Sequence, residues 1–211
     1  MDRERPYHHG NLRAALLDAA ERSIEKLGVE QLSLRELART AGVSHAAPRS
    51  HFPDRQALLD ALAERGFDRL ATDLRDAYAG SGPEFEARLR AVAAAYVAFA
   101  SRSPVLLDLM YARKPGGDAP GPQAAAADAM SVVAGLIGEG IASGVLAAHD
   151  PDRYAFLLFS WVRGIAALVT SGIVSLDAAD GLIADAVATF IRGSAAPPPA
   201  HGLRTPAKPS G

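Results

Sequence analysis

The chain has 211 residues, 49% of them apolar and 22% charged, with a formal net charge of −2; this is the make-up of a globular protein, and any attraction to nucleic acid must be local. It has no cysteine, which excludes disulfide scaffolds, thiolate-ligated zinc, iron–sulfur clusters and thiol nucleophiles together. The charged start, Met1-Asp2-Arg3-Glu4-Arg5-Pro6, has no apolar stretch behind it, is not a secretory signal and points to the cytoplasm.

Alanine, leucine, arginine and glutamate dominate, while valine, isoleucine and threonine form no alternating strand-like runs, so the expected fold is all-α. A first helix is expected from about Asn11 to Leu27, with Leu12, Leu16, Ala19, Ala20, Ile24 and Leu27 on one stripe and Gly28 ending it. Ser33-Leu34-Arg35-Glu36 fits a capping box: the Ser33 hydroxyl accepts from the Glu36 N–H, and the Glu36 carboxylate reaches back to the Ser33 N–H. The helix so started ends at Ala41-Gly42-Val43, and Ser44 is placed to cap a third helix running to about His51. Two short helices joined by a glycine-containing turn make a helix-turn-helix candidate. Asp54 then caps a long helix from about Arg55 to Ala79, roughly 37 Å in length, with Leu59, Leu62, Gly66, Leu70, Leu74 and Tyr78 on one face.

Further helices are expected at about 84–102, 104–112, 122–143, 151–173 and 178–193. Lys114 to Gln123 reads as a Gly/Pro loop, and Ser194 to Gly211, with five prolines and no acid, as a disordered tail. Tyr154 to Leu176 is apolar enough to raise a membrane span, but Arg163 stands near its middle, where a charge costs roughly 2.5–3.5 kcal/mol. A helix buried on both faces fits better, and no membrane partner is expected. Tyr154, Leu157, Leu158, Trp161, Ile165 and Leu168 form one stripe of that helix, and Phe156, Phe159, Ala166 and Val169 cover its other sides. In 178–193, Leu182, Ile183, Ala186, Val187, Phe190 and Ile191 form another stripe. Two such helices from each of two subunits make a four-helix bundle, so a homodimer through 151–173 and 178–193 is expected.

Four separate motifs fall in register: His8-His9-Gly10-Asn11-Leu12-Arg13, Leu32-Ser33-Leu34-Arg35-Glu36-Leu37-Ala38, Ala41-Gly42-Val43-Ser44 and His51-Phe52-Pro53-Asp54. Together, over about residues 8–67, they resemble the N-terminal domain of TetR-family transcriptional regulators. The resemblance implies an all-helical dimer, each subunit carrying a three-helix DNA-binding domain on a larger helical body that binds a small molecule. Val162-Arg163-Gly164 looks like a Val-His-Gly motif of one subgroup, with Arg in place of His. The chain departs from the family just before the His-Phe pair, where a Tyr that touches the DNA backbone is usual and Arg49-Ser50 stands instead.

The residues support a DNA role on their own terms. Residues 1–52 hold eight basic and seven acidic side chains, against 14 and 17 in the rest, and four of the six histidines. His45, Ala46, Arg49 and Ser50 are expected to be exposed on the third helix, which Pro48 keeps short. Ala46 and Ala47 are small enough to meet thymine methyl groups, and Arg49 can pair with guanine or hold a phosphate. Ser33, Arg35 and Ser44 lie at helix starts that suit phosphates, and His51 and Arg55 are expected near the DNA backbone. The expected DNA contacts are therefore Ser33, Arg35, Ser44, His45, Ala46, Ala47, Pro48, Arg49, Ser50, His51 and Arg55, and the partner a palindromic duplex. The alternative is a helical dimeric interaction protein that has lost sequence-specific DNA binding.

Candidate effector contacts are Tyr96, Phe99, Met110, Phe159, Trp161 and Arg163, with Tyr111 beside them. Arg163 is the most informative, since a charge in so apolar a helix needs a partner, either an anionic group of an effector or an acidic residue of the protein. No H-E-x-x-H, P-loop, G-x-G-x-x-G or G-x-S-x-G motif occurs, so no enzyme, cofactor or metal is expected. The organisation expected is an arm and DNA-binding domain over 1–53, an effector-binding and dimerisation domain over 54–193, and a tail over 194–211.

Overall fold

Local signals set the N-terminal third. The computed structural model describes residues 12–44, 46–112 and 120–195. Its helices there are α1 (Leu12–Leu27), α2 (Leu34–Ala41), α3 (Ala47–His51), α4 (Arg55–Gly80), α5 (Phe85–Arg102), α6 (Pro104–Tyr111), α7 (Pro120–Ala142), α8 (Pro151–Thr170) and α9 (Leu176–Gly193), with one 3-10 turn at Val29–Gln31. The Ser33 hydroxyl accepts from the Glu36 N–H at 3.2 Å and starts α2. The return half of the expected capping box does not form. The Glu36 carboxylate instead accepts from Arg39, at 2.5 and 3.0 Å, one turn along the same helix. Gly42 ends α2 at φ 67°, a left-handed backbone that a side chain disfavours.

The third helix starts later than Ser44. A helix from Ser44 would put Pro48 where an N–H is needed and drive its ring into the Ser44 carbonyl. That carbonyl accepts from the Ala47 N–H at 3.0 Å instead, leaving α3 five residues with Pro48 in its first turn. Pro120 and Pro122 likewise occupy the first turn of α7, so the expected loop gives way to helix at Pro120. At the other end, α9 is capped by Ser175. Ser194, expected in the tail, is buried and accepts from the Ala147 N–H at 2.7 Å.

The helices α1 to α3 close over Leu16, Ile24, Leu32, Leu37 and Phe52. Leu27, expected on the buried stripe of α1, is 57% exposed. Arg65 and Arg69 on α4 pair with Asp18 and Glu21 on α1 and fasten this bundle to the long helix. The helix α4, about 39 Å in length, then runs against α5, α6 and α7, and α8 and α9 pack on α5. Close approaches depend on missing side chains. A Cβ on Gly66 would come within 2.6 Å of the Met110 sulfur. One on Gly121 would meet the Glu64 carboxylate at 2.7 Å, where that negative group faces the start of α7. By length and composition α7 and α8 are apolar enough to cross a membrane; in this fold α7 lies along α4, and α8 between α5, α7 and α9.

Candidate nucleic-acid interface and ligand cavity

One exposed edge gathers the polar groups of α2 and α3. Ser33, Arg35, Ser44, Ala46, Arg49 and Ser50 are exposed, and Ala47 and His51 half-buried. Among the described residues neither Arg35 nor Arg49 has a hydrogen-bond or ion-pair partner, whereas neighbouring Arg39 is held by Glu36. The Ser50 hydroxyl donates to the Ala47 carbonyl at 2.8 Å and keeps its lone pairs outward. His45 lies outside the described residues, as do His8, His9 and Asn11. Arg13, not singled out from the sequence, stands at this edge, 5.5 Å over the Phe52 ring.

Two expected DNA contacts face inward. Pro48 is buried in the packing of α3. Arg55 donates through Nε to the Leu32 carbonyl at 2.9 Å and through Nη2 to the Val29 carbonyl at 2.7 Å. It is a strut holding the turn before α2 to the start of α4. Arg55→Ala should therefore lower unfolding free energy by about 1–3 kcal/mol, since it strips partners from two part-buried carbonyls. A denaturant titration checks this, and the salt dependence of DNA binding should stay as in the wild type.

In the helical body, α4, α5, α6, α7 and α8 line a half-open cavity of about 110 Å³. Its walls include Phe67, Leu70 and Leu74 of α4, Tyr96 of α5, Tyr111 of α6, Met130 and Val133 of α7, and Leu158, Phe159 and Val162 of α8. Four rings stand in contact there. Phe67 meets Tyr111 edge-on at 5.4 Å, Tyr96 meets Phe159 edge-on at 5.6 Å, and Tyr111 meets Phe159 at 5.7 Å. Arg163 borders these rings. Its guanidinium carbon is 4.3 Å from the Tyr111 ring centre, and Nη1 donates to the Tyr96 hydroxyl at 3.3 Å. Burial holds the Tyr111 hydroxyl well above the usual phenol range, helped by the nearby Tyr96 hydroxyl; Arg163 opposes the shift.

Of the expected effector residues, Tyr96 and Phe159 wall the cavity and Arg163 touches both of its tyrosines. Met110 is buried in the notch left by Gly66. The Phe99 ring lies 5.9 Å under Arg69 and lines a surface groove with Arg65 and Arg102. Trp161 faces outward, edge-on to Phe190 at 6.4 Å. Phe67, Leu70, Leu74 and the α7 wall went unseen in the sequence, because a stripe facing a cavity has the same pattern as one facing side chains.

Residues 16–62 match the model of bacterial regulatory proteins of the tetR family, and residues 89–192 match the tetracyclin repressor-like C-terminal domain. The chain belongs to the TetR family. It is a DNA-binding transcriptional regulator and not an enzyme. No curated protein matches it. Among solved structures, a protein of unknown function from Rhodococcus sp. RHA1 is 45% identical, with a TM-score of 0.83 over 91% of this chain and all of its own. A tetR-family transcription regulator from Shewanella sp. PV-4 shares the fold at 20% identity and TM-score 0.69, covering 88% of this chain and 99% of its own. The fatty acid degradation regulator FadR from Bacillus halodurans shares it at 15% and 0.70, covering 85% and 98%.

Regulators of this family dimerise, and this chain has an apolar face without cover. Phe156, Leu157, Trp161 and Leu168 of α8, Ile173 of the turn after it, and Leu176 and Leu182 of α9 are exposed. Leu157, Trp161, Gly164 and Leu168 recur at helical spacing as one outward seam. The expectation that α8 is buried on both faces fails within one chain for this side.

Proposed function

We propose that this TetR-family regulator is a repressor, bound as a homodimer to a palindromic operator and released by a small molecule in the cavity beside Tyr96. Residues up to Pro53 read the DNA, residues 54–193 bind the effector and dimerise, and the protein works in the cytoplasm, where its DNA is. The observation that carries this is the pair of guanidinium groups, Arg35 and Arg49, without partners among the described residues, on the exposed edge of a helix-turn-helix whose Arg39 is held by Glu36. Arg49 reads a base edge or grips a phosphate, Ala46 and Ala47 allow close approach, and Ser33, Ser44, Ser50 and His51 meet the backbone. His45 sits in the same turn by sequence. Dimerisation uses the outward seams of α8 and α9, where Gly164 lets the partner's backbone come near.

Release follows from linkage. The dimer samples more than one spacing of its DNA-binding domains, and an effector favouring a spacing that fits DNA poorly lowers operator affinity by the factor DNA lowers its own. Two elements connect the sites. The long helix α4 begins in the DNA-binding domain and supplies Phe67, Leu70 and Leu74 to the cavity. The eight-residue α6 ends on Tyr111 in the cavity wall and packs against α1, where its Leu106 lies beside the Glu25 carboxylate. Burial holds that carboxyl above its usual range, partly offset by the nearby Leu106 N–H. Selection of bound duplexes from a random pool tests the proposal. The recovered sites should be inverted repeats with half-site centres about 34–36 Å, or a multiple of it, apart; sites without two-fold symmetry would contradict it.

A further inference from the structure

We propose that the cavity takes a small apolar monocarboxylate of about one aromatic ring, its carboxylate held by the Tyr96–Tyr111 hydroxyl pair with Arg163 beside it. This rests on the effector reading above and names the class of molecule.

Three observations converge on it. The first is size. A dry apolar cavity of about 150 Å³ holds benzene, and this one, at about 110 Å³, admits a single ring with little rearrangement. The second is the wall. Phe67 and Tyr111, and Tyr96 and Phe159, meet edge to face around the space, and Tyr111 meets Phe159 at a tilt, a geometry into which another ring fits. The third is the polar end. The hydroxyls of Tyr96 and Tyr111 lie near each other, and Arg163 donates to Tyr96 at 3.3 Å. The Tyr96 hydroxyl accepts from the guanidinium and can offer its own hydrogen, polarised by that cation, to an acceptor. Among the described residues no carboxylate pairs with Arg163, which stands in an otherwise apolar stretch of α8. An acceptor carrying negative charge satisfies the hydrogen and the cation together. Its desolvation cost is offset only because both are in place.

The position also explains how binding is felt elsewhere. Arg163 rests on the face of Tyr111, the last residue of α6. An anion that draws the guanidinium toward itself changes what holds that end of α6, a helix that also packs on α1.

Titration calorimetry of the full-length protein with sodium benzoate, and with benzamide as its neutral isostere, tests this. Benzoate should bind the wild type roughly tenfold or more tighter than benzamide, the difference a charge-assisted hydrogen bond supplies. Arg163→Gln should bring benzoate down to the benzamide level, and Arg163→Lys should keep a preference for the acid. Tyr96→Phe, which keeps the ring and removes the hydroxyl, should weaken benzoate as well; it carries the test if Arg163→Gln fails to fold by circular dichroism. Benzamide binding as well as benzoate, benzoate unaffected by Arg163→Gln or Tyr96→Phe, or neither compound binding at millimolar concentration would overturn the proposal. Operator binding by the ligand-free protein, followed separately, distinguishes the two levels. Intact DNA binding with failed benzoate binding rejects the ligand class alone, and absent DNA binding rejects the regulator reading itself.

Discussion

Replacing Arg49 with alanine should all but remove operator recognition while leaving the fold intact. The side chain is exposed on α3 and has no partner among the described residues, so its loss changes stability by no more than about 0.5 kcal/mol, as for an ordinary surface site. On DNA the balance is different. A bidentate contact to a base is worth roughly 1–3 kcal/mol. A dimer makes that contact twice, so the expected loss is roughly 30-fold to 10⁴-fold in affinity. The way the loss arises is also readable. If Arg49 reads a base, discrimination between the operator and a scrambled duplex collapses. If it grips a phosphate, both duplexes weaken together and the salt slope falls by roughly one per copy. Competition binding at several salt concentrations, with the melting temperature as control, checks the prediction. An Arg49→Ala protein that binds its operator as the wild type does would remove α3 from the interface.

The second large effect lies at the far end of the molecule. Leu157→Glu combined with Leu168→Glu puts two carboxylates per chain on the exposed seam of α8, where the two leucines are 43% and 37% exposed. In a lone chain both glutamates stay in water and cost little. Across a two-fold axis four carboxylates enter one apolar interface without cations, at several kcal/mol each. The variant should sediment at half the wild-type mass and keep its helical circular dichroism. It should also lose operator binding, because one subunit reads only one half-site. A dimer that survives the change would place the subunit contact on another face.

The parts of this structure that were legible from the sequence are those decided within a few residues. Ser33, Asp54 and Gly42 start and stop helices through their own side chains or backbone freedom, and each does so here. Competition between two local choices was less visible. Glu36 has its own helix start and Arg39 within reach, and the guanidinium wins by offering two charge-assisted bonds. Arg55 shows what sequence position cannot convey. It follows a motif that faces DNA, yet its partners are carbonyls 23 and 26 residues earlier, brought beside it by the packing of α4 on α1. The cavity was half visible for a similar reason. Tyr96, Phe159 and Arg163 stand out as rings and a charge in apolar helices, but so do Phe99, Met110 and Trp161. Helix rotation and the notch at Gly66 decide which of them reach the space.

The central claim is that the exposed edge of α2 and α3 recognises a specific DNA sequence. Fluorescence anisotropy of the purified protein tests it most directly. The duplex is taken from upstream of the protein's own gene and compared with a scrambled duplex over a range of salt. The account predicts tight binding to the first, clear preference over the scramble, and log affinity falling linearly with log salt as phosphate contacts release counterions. Binding to neither duplex at low salt, in the absence of any effector, would contradict it and leave a helical dimer whose partner is not DNA.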